Sequence, residues 1–209
     1  MSLPEKLQPI QRCIDFLPYV ASGQYRNMPM NRLEQIVPWN LDKYNLRDFQ
    51  KYLTEIAHAF GGDWEVFKGL KCLDICCGSN DGEGFYPWLP PILSTLGAEV
   101  TGLDLGTQPE ELKDLYTHIS LDITKLDNQG LHAIKGIADK KFDLITFLNT
   151  INNFVPSDVL SKMAWNSGQN LVEIQKKVLK NIPQLLNPGG VLYYDSRAKW
   201  QVTYKKPNK

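Results

Sequence analysis

From Leu70 onward the sequence alternates short apolar runs with stretches of helical periodicity, and this rhythm constrains the fold more than any other feature. The runs Lys71–Cys76, Glu99–Asp104, His118–Ile123, Phe142–Leu148 and Val191–Asp195 have the length of strands. They are apolar nearly throughout, as strands are when both faces of a sheet are covered. Between them, Trp88–Leu96, Pro109–Leu115 and Leu131–Ala138 read as helical, and a longer helical pair follows Pro156 and ends at Leu186. Thr107-Gln-Pro-Glu110 has the form of a capping box for the second of these helices. Strands separated by helical segments imply right-handed βαβ crossovers, and so an α/β fold with a doubly wound, mainly parallel sheet.

The segment before Leu70 has a different pattern. Leu7, Ile10, Ile14, Leu17 and Val20 recur at helical spacing, as do Leu46, Phe49, Leu53, Ile56 and Phe60, and Gly61-Gly62 closes the second run. A shorter helix carries Leu33, Ile36 and Val37 before Pro38. No repeat, low-complexity tract or Ser/Gly-rich linker interrupts the chain. The expected organisation is an N-terminal helical extension over residues 1–69, packed on a ligand-binding core over 70–209.

Composition excludes several classes. A chain of 209 residues, 43% hydrophobic and 22% charged, can bury a full core. Lys+Arg and Asp+Glu are both 23, which leaves no basic surplus for a phosphate backbone, and no nucleic-acid partner is expected. No apolar run reaches the roughly 18 residues of a membrane span, and Met1-Ser2-Leu3-Pro4-Glu5 lacks the basic start and apolar middle of a signal peptide. Cys13, Cys72, Cys76 and Cys77 form neither a disulfide framework nor a zinc spacing. No membrane, no metal and a reducing, cytoplasmic setting are therefore expected.

The most informative segment is Leu73-Asp-Ile-Cys-Cys-Gly78-Ser-Asn-Asp-Gly82, placed between a strand and a helix, where a doubly wound sheet binds its ligand. Gly78 and Gly82 let the backbone turn tightly and approach a ligand closely. The dinucleotide spacing GxGxxG fails, because Asn80 and Glu83 stand at its second and third glycines. The phosphate loop GxxxxGK[ST] fails too, because Glu83 and Gly84 replace its lysine and hydroxyl residue. The loop is also acidic. Asp74, Asp81 and Glu83 would repel a pyrophosphate and favour a ligand carrying ammonium and sulfonium charges. Asp104, 22 residues beyond Gly82, ends the next strand, where a carboxylate can accept hydrogen bonds from ribose hydroxyls. Asp122 ends the following strand, within reach of an adenine amino group.

These segments resemble, in order, the motifs of the class I S-adenosylmethionine-dependent methyltransferases. The glycine segment is similar to the first motif, Val100-Thr-Gly-Leu-Asp104 to the second and Leu121-Asp122-Ile-Thr to the adenine-contacting segment. Phe142-Asp-Leu-Ile-Thr-Phe-Leu148 resembles the fourth strand, and Leu185-Leu-Asn-Pro-Gly-Gly-Val-Leu192 the turn into the fifth. The likeness covers roughly residues 70–195. It departs from the family at Cys76 and Asn80, where glycine is usual. The resemblance implies a Rossmann-like methyltransferase fold with S-adenosylmethionine as cofactor. It further implies that Asp74 anchors the methionine amino group, while Cys76, Gly78, Ser79, Asn80 and Gly82 line the methionine end. Asp104 would take the ribose and Asp122 the adenine, with Leu105 and Ile123 beside them, and Leu148 would offer backbone contacts beneath the sulfonium. Each acid also has a structural reading, as the cap of a turn or a strand-end turn former. Cys76 and Cys77 read as small packing residues rather than nucleophiles.

Methyl transfer from a sulfonium is an in-line displacement in which the protein chiefly aligns the acceptor and excludes water. A general base is needed only if the acceptor must first lose a proton, so no catalytic residue is assigned. The Asn/Asp-Pro-Pro-Tyr/Phe run of the family's enzymes for planar amines is absent; Leu148-Asn-Thr-Ile-Asn-Asn-Phe154 stands in its place. Asn149, Asn152 and Asn153 either hydrogen-bond a substrate or form a polar loop leading into a helix. Phe85-Tyr86-Pro87-Trp88 either walls the site or packs on the N-terminal helices, and Tyr25 is a candidate to close over the cofactor. His58, His118 and His132 read as surface residues. After Asp195 only 14 residues remain, where family members continue through a helix and an antiparallel hairpin. Lys199–Lys205 offers one further strand. The sequence is compatible with a natural minimal form, a truncated chain, or a homodimer completed through the sheet edge, which Lys205, Lys206 and Lys209 would discourage. The expected function is methyl transfer from S-adenosylmethionine to a small molecule. The alternatives are a non-catalytic S-adenosylmethionine-binding module or partner subunit, and another nucleotide-using enzyme such as an oxidoreductase.

Overall fold

The computed structural model describes residues 52, 55–61, 64–79, 87, 89–123, 130–147, 171–180, 182–196 and 199–207. The chain divides into two units, Met1–Phe67 and Lys68–Lys209. In the first, residues 55–59 are helical and Trp64–Phe67 form a 3₁₀ turn. Ile56, Ala57 and Phe67 are buried. The helix ends where the Gly61 N–H donates to His58 O at 3.2 Å, with Gly61 at φ +117°, a conformation other residues rarely adopt. The helices expected before residue 52 lie outside the described residues.

The second unit is built on β1 (Lys71–Ile75), α1 (Leu89–Thr95), β2 (Glu99–Asp104), β3 (Thr117–Ser120), β4 (Phe142–Phe147), α2 (Leu171–Lys180), α3 (Ile182–Leu185), β5 (Leu186–Ser196) and β6 (Lys199–Lys205). They form one sheet in the order β3-β2-β1-β4-β5-β6. The first five strands are parallel, and β6 runs antiparallel to β5. The expected doubly wound, mainly parallel α/β architecture is therefore the one found. The winding reverses at β1, because β2 lies on one side of it and β4 on the other, and ligands of such sheets sit outside the carboxyl ends of the strands at that reversal.

Alternation along the strands sorts the side chains into two faces. On one, Leu73, Ile75, Leu103, Ile145, Phe147 and Leu192 join Val178 of α2 and Ile182 and Leu185 of α3 in a continuous apolar cluster. The buried Leu89, Ile92 and Leu93 of α1 belong to none of it; α1 packs against β1 and β2 on the opposite face, where a right-handed crossover places it. The amino ends of three strands are stitched by Asp143, whose carboxylate accepts the Lys71 N–H at 2.9 Å and the Asn187 Nδ2–H at 2.7 Å.

Four expectations change. The strand read over His118–Ile123 is Thr117–Ser120, so Asp122 lies beyond the strand rather than at its end. The helices read over Pro109–Leu115 and Leu131–Ala138 are only 3₁₀ turns, Glu110–Leu112 and Gly130–Ala133. The 3₁₀ turn at Glu110 takes Pro109 rather than Thr107 as its N-cap residue, and Pro109 has no side-chain capping bond. Gln108 organises the turn instead, its Nε2–H groups donating to Leu112 O at 3.0 Å and Tyr116 O at 2.9 Å, so the carbonyls are satisfied without a longer helix. Finally, β5 begins at Leu186 rather than Val191, because Leu186 pairs with Phe142 before a bulge shifts the register to Leu144 and Val191.

Candidate functional site

β1 delivers the chain to the topological reversal and then turns sharply. Cys76 takes φ +61° and Gly78 takes φ +96°, both in the left-handed region. Cys76 does this without being glycine, at a position where the resembled family usually carries one. The Cys77 N–H donates to Leu103 O at 3.0 Å, which ties the turn to β2. The Gly78 N–H then donates to Asp104 Oδ2 at 3.0 Å, so the acid at the end of β2 is held over the glycine turn. Leu121 N–H donates to Asp104 O at 2.7 Å, and this brings the segment after β3, with the partly buried Asp122 and Ile123, alongside. Leu105, next to Asp104, is 51% exposed and is the sole exposed large hydrophobic side chain among the described residues.

Asp74 lies one strand position back and is almost wholly buried, at 3% exposure. Its Oδ1 accepts the Thr146 hydroxyl at 2.6 Å, a bond across β1 and β4 that straddles the reversal point. Burial pushes the Asp74 carboxyl up to about 7; the Asp104 charge acts in the same direction and the Thr146 bond opposes it. Burial likewise drives the Cys72 and Cys77 thiols well above their ordinary range, with neighbouring aspartates adding to it. Both stay as thiols, in keeping with packing roles.

The structure thus brings Asp74, Cys76, Gly78, Ser79, Asp104, Leu105, Asp122 and Ile123 to the carboxyl ends of β1, β2 and β3. Asn80, Gly82 and Leu148 lie outside the described residues, as do Tyr25, Phe85, Tyr86, Trp88 and Asn149, Asn152 and Asn153. Among the described residues no group of three His, Cys, Asp or Glu side chains could hold a metal ion, and no helix is long and apolar enough to cross a membrane.

Two residues escaped the sequence reading. Thr146 was hidden in the strand Phe142-Asp-Leu-Ile-Thr-Phe147; a hydroxyl among apolar neighbours was the available signal. His118 is not a surface residue: it is partly buried, with Nε2 2.9 Å from Gly106 O and Nδ1 3.9 Å from Cys77 Sγ. His132 is also partly buried, whereas His58 is exposed as expected.

No family model matches the chain, and no curated protein matches it. It is similar to several solved structures. One is a T. thermophilus 16S rRNA methyltransferase in complex with AdoMet and guanosine, at 16% identity and a TM-score of 0.44, covering 71% of this chain and 34% of that one. Another is the N-methyltransferase NodS from Bradyrhizobium japonicum WM9, at 14% identity and 0.43, covering 75% and 71%. A third is the magnesium protoporphyrin IX methyltransferase of Synechocystis PCC 6803 with bound SAH, at 14% and 0.39, covering 87% and 70%. The chain spans about a third of the first of these.

Proposed function

We propose that this chain is a cytoplasmic S-adenosylmethionine-dependent methyltransferase acting on a small molecule. The observation that carries the reading is the junction of Gly78 with Asp104 at the topological reversal. Asp104 uses one oxygen to hold the turn and keeps Oδ1 for ribose hydroxyls. The positive φ of Cys76 and Gly78 curls the backbone into a cradle, and Leu105 offers an apolar surface for a nucleobase. The residues fit an amino-acid nucleoside: the buried carboxyl of Asp74 would meet the ammonium end, and the loop sequence carries the acids Asp81 and Glu83 where a pyrophosphate would need basic groups.

When bound, the cofactor supplies a methyl group activated on a sulfonium. The chain's own contribution is to orient and enclose. Asp74, Gly78 and Ser79 would hold the methionine end, and Asn80, Gly82 and Leu148 are proposed as further cofactor contacts. Asp104 would take the ribose, Asp122 and Ile123 the adenine edge. A small-molecule acceptor agrees with the equal counts of basic and acidic residues, 23 each, which supply no surplus for nucleic acid. Titration calorimetry with S-adenosylhomocysteine tests the proposal. Binding is expected, and Asp104→Ala should weaken it by roughly 1.5–3 kcal/mol, the scale for hydrogen bonds to a charged group. Unchanged affinity would remove Asp104 from the site. Tight binding without turnover on a metabolite panel would instead favour a non-catalytic binding module.

A further inference from the structure

Thr146, Asp74, Gly102 and His118 are register partners on the successive strands β4, β1, β2 and β3. Direct partners in a parallel sheet project to the same face, so they form one row crossing the sheet beneath the glycine turn. At Gly102 the row has no side chain, and the space is filled from outside. A Cβ there would stand 2.7 Å from Cys77 Sγ and 2.9 Å from the Tyr116 ring. Cys77 therefore seats its thiol in the row, between Asp74 and His118.

His118 closes the arrangement. Its Nε2 is 2.9 Å from Gly106 O, and a carbonyl can only accept, so Nε2 carries the proton. In the neutral ring Nδ1 is then an acceptor, and it faces the Cys77 thiol at 3.9 Å. Burial keeps that thiol protonated, and besides the 3.9 Å contact with Nδ1 it donates to Gly78 O at 3.4 Å within the turn. The Tyr116 ring meets His118 edge-on, 6.2 Å between centroids, and fixes the imidazole plane. One side chain thus touches the loop that follows Asp104, through Gly106, and the turn that carries Gly78, through Cys77. These are the two segments that the Gly78–Asp104 hydrogen bond must keep in register.

We propose that His118 is a positioning residue for the cofactor site, strapping the loop after β2 to the glycine turn so that Asp104 and Gly78 keep the geometry needed for the ribose and the methionine end. The proposal rests on the cofactor reading above for its consequence, but the strap itself is a property of the ligand-free protein.

The test compares His118→Leu, which loses both contacts, with His118→Gln, whose amide nitrogen can keep the bond to Gly106 O. Amide hydrogen exchange at Gly78 is read by NMR without ligand, and S-adenosylhomocysteine affinity by calorimetry. In His118→Leu the Gly78 amide should exchange faster and affinity should fall about threefold to tenfold, the worth of one hydrogen bond. His118→Gln should restore most of both. Wild-type exchange and affinity in His118→Leu would overturn the proposal. So would equal losses in the two variants, because the ring would then only fill volume. Faster exchange in His118→Leu, alongside a wild type that binds no S-adenosylhomocysteine, would leave the strap standing and remove the cofactor reading instead.

Discussion

At the scale of single residues, Asp74 sets the most direct expectation. Its carboxyl moves from an ordinary value of 3.8 to about 7 on folding, chiefly through burial. The native state therefore holds this proton more tightly than the unfolded chain. The stabilisation is fully present below the unfolded value and is lost as pH rises through about 7. By pH 8 the ionised group costs on the order of 4 kcal/mol. Asp74→Asn keeps an oxygen for the Thr146 hydroxyl and removes the charge. Thermal melts of the ligand-free protein should show the variant more stable than wild type at pH 8, with the gap closing toward pH 5. A ligand ammonium needs the carboxylate, so wild-type affinity should tighten roughly tenfold between pH 6 and pH 8, and the variant's should not. Equal pH dependence in both proteins would show that Asp74 does not face the ligand. The sequence placed an acid here, but its burial was invisible: burial depends on Thr146 lying on the neighbouring strand, and that hydroxyl is 72 positions away.

At the scale of elements, two glycines separate stability from binding. Gly190, in the bulge of β5, has no room for a Cβ: Asn187 O would be 2.9 Å away and Phe142 O 3.1 Å. Backbone atoms cannot step aside, so Gly190→Ala should cost about 1–3 kcal/mol in denaturant unfolding while leaving the affinity of the folded fraction unchanged. Gly102→Ala instead pushes on Cys77 Sγ, a side chain belonging to the glycine turn. It should weaken S-adenosylhomocysteine binding as well as stability, and Cys77→Ala in the same chain should recover part of both. Additive effects of the two changes would argue against coupling between β2 and the turn. The five parallel strands were legible because their apolar runs are short and bounded by turn residues. The 3₁₀ turns at Glu110–Leu112 and Gly130–Ala133 were not, because one or two turns of helix and a short 3₁₀ piece share the same apolar spacing. The start of β5 was hidden by Pro188-Gly189-Gly190, which reads as a turn and is in fact a strand bulge.

For the whole molecule, a ligand that binds only the native state must stabilise it. S-adenosylhomocysteine at 100 times its Kd should add about 2.7 kcal/mol, which for a chain of this size raises Tm by roughly 5–10 °C. NAD and ATP should leave the melting curve where it is. A flat response to S-adenosylhomocysteine at millimolar concentration would rule out the cofactor reading. The amino-acid sequence by itself determined the class of fold and the order of the acids, because periodicity and turn chemistry act locally and a right-handed crossover leaves few ways to connect strands and helices. It also placed Asp74 in one strand, Gly78 in the turn that follows it and Asp104 at the end of the next strand. Tertiary structure alone decided which atoms of those residues meet. The Gly78–Asp104 bond, the Thr146–Asp74 bond and the contacts of His118 with Cys77 and Gly106 all join different strands and loops. Sheet register sets their distances, and register comes from the packing of the whole sheet rather than from any one segment.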